Sequence, residues 1–413
     1  MQRMITVPLL AGLILLTSLD GKAQKRGRSS GGQVPHVTSR FIAGNSARIP
    51  IEIDNNIIFL RVRVNGSRPL KFIFDTGASV SVIDSELVAE LGLKTQGQTK
   101  GTATGGNIQA DLIHGVSLSV EGAEVANQIV ASFSFAKMPC VEFDGVIGYD
   151  FINQFVVEID YPGKLINLYK PQTYVYSGHG KIVPLQLAET RTPLVFARIT
   201  VEGGRSIASR LEVDTGGDSA FVINSPFVKK NQLLKALSRK VSGSGVGAGG
   251  ESKRVVGRFK NVQLGLFTII NPILNLSQDT EGGRASEEYD GIVGGEVLRR
   301  FNLILDYSRK RMILEPNAEF IQPYEVGMTG FDFESAEDNC KDYKIESVEP
   351  VSPARDAGLE PGDIITAIDG RSMSEIPSEE IEQMFKQVGR ELTLTIKRGS
   401  ENLQKKMTLR RLV

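Results

Sequence analysis

The sequence predicts a mainly β chain in which one β lobe occurs twice and a smaller α+β unit follows. Three observations carry that expectation. Val, Ile and Phe runs alternate with polar residues and break at Gly and Asn turns, as strands and hairpins do. The order of these runs recurs later in the chain. From about residue 325 the pattern changes to helix-capping signals between short strands. Glycine is abundant, at 43 residues against 17 prolines and no tryptophan, which suits β structure with many tight turns.

The 413 residues are enough for two or three domains with real cores. Lys and Arg total 48 and so do Asp and Glu, so net charge favours neither nucleic acid nor a membrane surface as partner. His36, His114 and His179 show no ligand spacing with each other or with cysteine, so no zinc site, other metal or cofactor is expected. Cys140 and Cys340 would have to link different domains to pair. Two free or buried thiols are the expectation.

Residues 1–23 read as a secretory signal peptide: Arg3, an apolar run from Ile5 to Leu16 broken by Pro8 and Gly12, then Gly21-Lys22-Ala23. That run is shorter than the roughly 20 residues that span a bilayer. Export to the periplasm or the exterior of a bacterium, with no membrane span after cleavage, is expected; an uncleaved N-terminal anchor is the alternative. Residues 24–45 are basic and Gly/Ser-rich, the composition of a flexible spacer. Gly27-Arg28-Ser29-Ser30-Gly31 within it has the form of a serine-hydrolase elbow but lacks the strand before and the helix after.

The first lobe is assigned to residues 46–172. Ile57 to Val64, a turn at Asn65-Gly66 and Leu70 to Phe74 form a hairpin, and Asp84 to Leu93 a short helix. Thr104, Gly105 and Gly106 end a mobile hairpin. A polar linker, 173–186, leads to the second lobe, 187–318. There Val195 to Gly203 repeats Ile58 to Gly66, Asp214-Thr215-Gly216 repeats Asp75-Thr76-Gly77, and Asp290 to Gly294 repeats Asp144 to Gly148. The separations are nearly constant: 137 from Ile58 to Val195, 139 from Asp75 to Asp214 and 146 from Asp144 to Asp290. The chain thus carries an internal duplication. The second glycine-rich tip, with Gly245 and Gly247, has the form Gly-x-Gly-x-x-Gly. Strand-like sequence follows it where a dinucleotide site needs a helix, so a hairpin is the better reading.

An ionised carboxylate closing a buried strand is costly unless it is hydrogen-bonded or shares a proton. Two such carboxylates on duplicated lobes, packed about a pseudo-twofold axis, can share one proton. The pair can then activate water as a base while protonating a carbonyl oxygen as an acid. The Thr76 and Thr215 hydroxyls can bond across the axis, and Gly77 and Gly216 let backbone N–H groups reach the carboxylates.

Both lobes resemble pepsin-like and, more closely, retropepsin-like aspartic proteases, over about Arg48 to Pro316. The resemblance rests on the strand ending in Asp-Thr-Gly, the glycine-rich flap, and the bracing segments Val146-Ile147-Gly148 and Ile292-Val293-Gly294. It implies duplicated acid-protease β-barrel lobes with Asp75 and Asp214 as the catalytic pair, acting on peptide bonds. Ala78 and Gly217 stand where the family often has a hydroxyl that bonds the carboxylate. Their lack of a donor predicts raised dyad pKa values and an activity optimum nearer neutral than pepsin's. Asp218 reads as a solvated turn residue, with a third titrating group as the alternative.

Residues 325–413 resemble a bacterial PDZ domain through Ser352-Pro353-Ala354, Ala357-Gly358-Leu359, Pro361-Gly362-Asp363-Ile364-Ile365 and Ile368-Asp369-Gly370. The resemblance implies a peptide groove, with Met328-Thr329-Gly330-Phe331 as its carboxylate loop and a docked peptide added as a strand. Thr329 departs from the usual apolar residue. A rigid packing module is the alternative. The expected partner of the whole chain is a polypeptide substrate. The rival reading, kept open by Gly217, is a catalytically weak, protease-derived peptide-binding or scaffold protein.

Overall fold

The computed structural model describes residues 36–136, 138, 142–335 and 341–413, together with the backbone of 15–16. Residues 1–14 and 17–35, with most of the expected signal and spacer, and both cysteines lie outside the described residues. The chain is mainly β, as the alternating patterns predict.

Each lobe is built on the same four-strand kernel. In the first, Leu70–Phe74 pairs antiparallel with Ile57–Val64 and parallel with Gly145–Ile147, which in turn pairs antiparallel with Val82–Asp84. In the second, Ser206–Val213, Pro193–Thr200, Gly291–Val293 and Phe221–Ile223 repeat those pairings. A strand with neighbours on both sides and buried faces must be apolar nearly throughout, as Gly145–Ile147, Phe221–Ile223 and Gly291–Val293 are.

A six-stranded sheet joins the lobes, with Val156–Asp160 antiparallel to Phe301–Asp306 at its centre. Glu158 lies opposite Ile304. The separation of 146 between matched residues in this part of the repeat makes those two residues equivalents. A residue paired with its own equivalent marks the pseudo-twofold axis. One apolar cluster, including Phe72, Phe74, Val213 and Leu303, continues through both lobes.

The C-terminal unit has a sheet of its own, ordered Phe331–Ser335, Tyr343–Val348, Ile364–Ile368, Glu391–Arg398 and Glu401–Thr408, with the short strand Arg371–Ser372 also paired to Ile364–Ile368. The Ser352 side chain accepts from Arg355 N at the start of Pro353–Asp356, as the Ser-Pro signal predicts. The second helix of this unit is Ser378–Phe385. Pro377 holds its N-cap position, Ile381, Met384 and Phe385 are buried, and the helix ends before the exposed Val388. In the first lobe, the helix expected over Asp84 to Leu93 shrinks to Leu87–Glu90, because Asp84 belongs to the preceding strand.

The end of the expected spacer is also ordered. Thr38–Phe41 pairs with Ala123 to Ala126, Arg40 meets Glu124 at 3.1 Å, and Phe41 packs on Phe155. Local composition cannot register that a free sheet edge lies within reach.

Arg300 ties the second lobe to the segment leading out of it. Its buried guanidinium donates to the carbonyls of Glu296, Glu319, Gln322 and Pro323 and lies 3.6 Å from the centre of the Tyr324 ring. Arg300→Met strips the donor from all of these carbonyls. It is expected to cost about 3 kcal/mol, read as a lower denaturant midpoint.

Candidate active site

Asp75 and Asp214 end their strands at the lobe interface with 1% and 0% of their surface exposed. The backbone N–H of Asp75 donates to Ile147 O and that of Asp214 to Val293 O, each at 3.0 Å, so the bracing segments hold both loops as expected. Gly77 N donates to Asp75 Oδ1 at 2.7 Å, and Gly216 N to Asp214 Oδ1 at 2.9 Å. The threonines bond across the axis. Thr76 Oγ1 donates to Val213 O at 2.5 Å and accepts from Thr215 N at 3.1 Å. Thr215 Oγ1 donates to Phe74 O at 2.7 Å and accepts from Thr76 N at 3.1 Å.

This exchange forces the two loops so close that only glycine fits between them. A Cβ at Gly216 would lie 2.3 Å from Asp75 Cγ, and one at Gly77 2.9 Å from Asp214 Cγ. The two carboxyls are hydrogen-bonded to each other.

Burial is the largest cause holding the Asp75 carboxyl well above the usual range, followed by the Asp214 charge and the hydrogen bond to Asp214. The Gly77 N–H opposes the shift and the charge of Glu212 adds to it. Two carboxyls this close retain a proton between them where isolated ones would both be ionised. Burial also pushes Glu212 up to about 8, Asp218 to about 7 and Asp150 to about 6. Asp218, half-buried and accepting from Ser219 Oγ, is therefore not the solvated turn residue that the sequence suggests.

These shifts fix the sign of the pH dependence. Unfolded carboxyls titrate near 4, so between about pH 4 and 8 the folded chain binds more protons than the unfolded one. Stability is expected to fall as pH rises through that window. Asp306 and Glu315, held below their usual range by the hydrogen bonds they accept, act only at lower pH. Denaturant midpoints at pH 5 and pH 8.5 check this, with Glu212→Gln flattening the slope. A midpoint that rises with pH contradicts it.

The hairpin tips meet each other, and Ala248 of the second packs in the cluster that holds Ile73 and Ala78 beside Asp75. Gly249 N donates to Thr104 O at 2.9 Å, and Gly105 and Gly106 pack on the backbone of Gly249 and Gly250. Thr104 is buried there. The tip of the second hairpin is displaced from its expected place. Gly247 flanks the turn opposite Gly250, whereas Gly245 sits within the strand Lys240–Gly247, paired with Ser252. The turn falls on Ala248-Gly249, a choice set by strand register and invisible in a run of glycines.

Residue patterns also missed Glu212, Arg284 and Tyr289, all buried beside Asp214. The available signal is the repeat itself, which sets Glu212 at the position matching Ile73.

Met328, Thr329, Gly330 and Phe331 form a loop away from the aspartates. Ala354 N donates to Thr329 O and Glu349 N to Gly330 O, while Met328 N bonds Phe385 O. The loop opens a groove between the edge strand Phe331–Ser335 and the helix Ser378–Phe385. It leads into a cavity of about 260 Å³ whose opposite wall includes Asn56, Asp218, Ser242 and Arg254 of the lobes. Ser242 belongs to Lys240–Gly247, the edge strand of the second hairpin, and its N–H donates to Glu349 Oε1 at 3.0 Å.

Comparison with protein families agrees with this geometry in coarse outline. Residues 60–151 match the family model described as aspartyl protease, and residues 320–397 match that of the PDZ domain. The first match takes in Asp75 and its brace and ends before the second lobe. No curated protein matches the chain.

Proposed function

We propose that the chain is an aspartic endopeptidase of two duplicated lobes, over 46–172 and 187–318, with a PDZ domain over 325–413 for docking substrate or a partner. The observation that carries the reading is the Thr76–Thr215 exchange, because it brings two buried carboxyls from separate lobes into one hydrogen-bonded pair. In this mechanism Asp75 holds the shared proton and Asp214 is the charged partner. Asp214 takes a proton from a water lying between them as its oxygen attacks the peptide carbonyl. Asp75 gives its proton to the carbonyl oxygen, and the tetrahedral species collapses as Asp75 takes back one hydroxyl proton and the amine leaves with the proton from Asp214, which restores the pair. The hairpin tips must part to admit a chain and close again to exclude bulk water.

The edge strand Phe331–Ser335, paired on one side only among the described residues, supports docking of an extended peptide by strand addition. Its neighbour across the cavity is the base of the second flap, so docking and cleavage would use adjoining surfaces. The secretory reading of residues 1–23 supports export, with the activity in the periplasm or outside the cell.

Incubation of the full chain with an unfolded polypeptide tests the assignment. Cleavage is expected that a peptide isostere bearing a central hydroxyl blocks and a metal chelator leaves unchanged. Cleavage indifferent to the isostere overturns it.

A further inference from the structure

Arg284 is an unexpected side chain to find beside the two aspartates. It sits on the short turn Gly283–Ala285 with 1% of its surface exposed. No acceptor among the described residues lies within hydrogen-bonding distance of its Nε, Nη1 or Nη2. Its counter-charge is Glu212, whose Oε2 is 3.9 Å from Nη2, too far for a hydrogen bond. Glu212 is two residues before Asp214 on one strand, so the two share a face. The turn also runs under the first hairpin tip: a Cβ at Gly282 would meet Ala103 O and Gly106 N, each at 2.6 Å. On that tip the buried Thr104 hydroxyl likewise has no partner among the described residues.

The duplication shows what this group replaces. Ile73 precedes Asp75 as Glu212 precedes Asp214, and each faces the brace strand, at Val146 and Ile292 respectively. In the first lobe that layer is apolar, with Ile57, Ile73, Phe143 and Val146 in one cluster that also receives Ala248 from the opposite hairpin tip. The matching layer of the second lobe keeps Leu194 and Ile292 but has Tyr289 for Phe143 and Glu212 for Ile73. A buried ion pair without good hydrogen bonds is weaker than apolar packing of similar volume. The sister lobe shows that this kernel packs well without one, so stability does not account for the charged version.

We propose that Arg284, with Glu212 and Tyr289 around it, forms a recognition site for a carboxylate side chain of the substrate on one side of the scissile bond. The Ile73 layer across the aspartates receives an apolar side chain on the other. This assignment rests on the endopeptidase reading above. A guanidinium offers a planar fork of N–H donors that a carboxylate meets with two parallel hydrogen bonds. Burial works against the Arg284 charge, but Tyr289, Glu212, Asp214 and Asp279 outweigh it and keep the group protonated. Glu212, raised to about 8 chiefly by burial, is ionised only in minor part near neutral pH and so offsets the guanidinium only partly there. Asp279 is engaged elsewhere, by Ser252 Oγ and Lys253 N. An acidic side chain entering as the tips part supplies the missing acceptor; a neutral amide supplies one without the charge.

Digestion of a mixture of unfolded polypeptides by the full chain, with the cut sites read by mass spectrometry, tests this. Asp or Glu is expected to be enriched on one side of the cut bond and apolar residues on the other. For a peptide drawn from that set, Glu→Gln is expected to lower kcat/KM at least ~tenfold, and Arg284→Met to abolish the difference between the two peptides. Arg284→Lys, which keeps the charge but loses the fork, should restore part of it. It also decides the matter alone if Arg284→Met does not fold. Cuts without acidic enrichment, or a Glu-over-Gln preference unchanged in the Arg284 variants, overturn the site and leave the endopeptidase standing. An absence of any cutting overturns both.

Discussion

Asp75→Asn and Asp214→Asn are each expected to reduce kcat by on the order of a thousandfold or more, with the fold intact. The amide is nearly isosteric with the acid, so the Gly77 and Gly216 N–H groups keep an acceptor oxygen at each site. What disappears is the single proton held between two carboxyls, which must serve as acid and base in the same step. Either substitution removes it, so the double variant should be little worse than either single one. Asp75→Asn should also raise stability at neutral pH, because it replaces a buried carboxyl that is costly to ionise with a group that never ionises. Activity lost together with a collapsed melting transition would instead mark a structural role. Turnover assays and thermal melts on the same preparations separate the two.

Thr215→Val is expected to be the most damaging change that leaves both aspartates in place. Its hydroxyl donates to Phe74 O and accepts from Thr76 N inside the lobe interface. Valine fills the same space but strands a buried carbonyl and a buried N–H, each costing about 1–3 kcal/mol. A loss of roughly 3 kcal/mol is expected in the denaturant midpoint, with kcat falling further than KM rises, because the Asp75 loop loses its register against its partner. Thr215→Ser, which keeps the hydroxyl, should recover most of both. A valine variant with wild-type stability would show that the exchange is not what holds the lobes in place.

How much of this was legible in the sequence follows from what kind of signal each feature leaves. The kernel strands, the paired Asp-Thr-Gly loops and the bracing Val146-Ile147-Gly148 and Ile292-Val293-Gly294 were readable because they are local patterns stated twice. The fold class followed from the same repetition. Features set by tertiary neighbours were not readable. Thr38–Phe41 becomes a strand only because Ala123 to Ala126 offers an edge, and Asp218 is desolvated only because other elements surround it. Gly245 could not be told from a tip residue in a run of glycines, since register alone moves the turn to Ala248-Gly249. Glu212 was visible as a charged residue in an apolar strand. Nothing local ties it to Arg284, 72 positions away.

The groove of the C-terminal unit shows the same limit. Its loop residues were found by pattern, whereas Ser242 and Arg254 on the opposite wall come from a lobe more than seventy residues earlier. Only the packed chain shows that the groove and the second hairpin share a boundary.

The central claim is that Asp75 and Asp214 act as one proton-sharing pair, and affinity for a transition-state mimic tests it most directly. A peptide whose scissile carbonyl is replaced by a hydroxyl-bearing carbon should bind the full chain tightly. It should bind Asp75→Asn and Asp214→Asn at least ~100-fold more weakly, since each loses a charge-assisted hydrogen bond to the hydroxyl. Equal affinity for wild type and either variant would contradict the account.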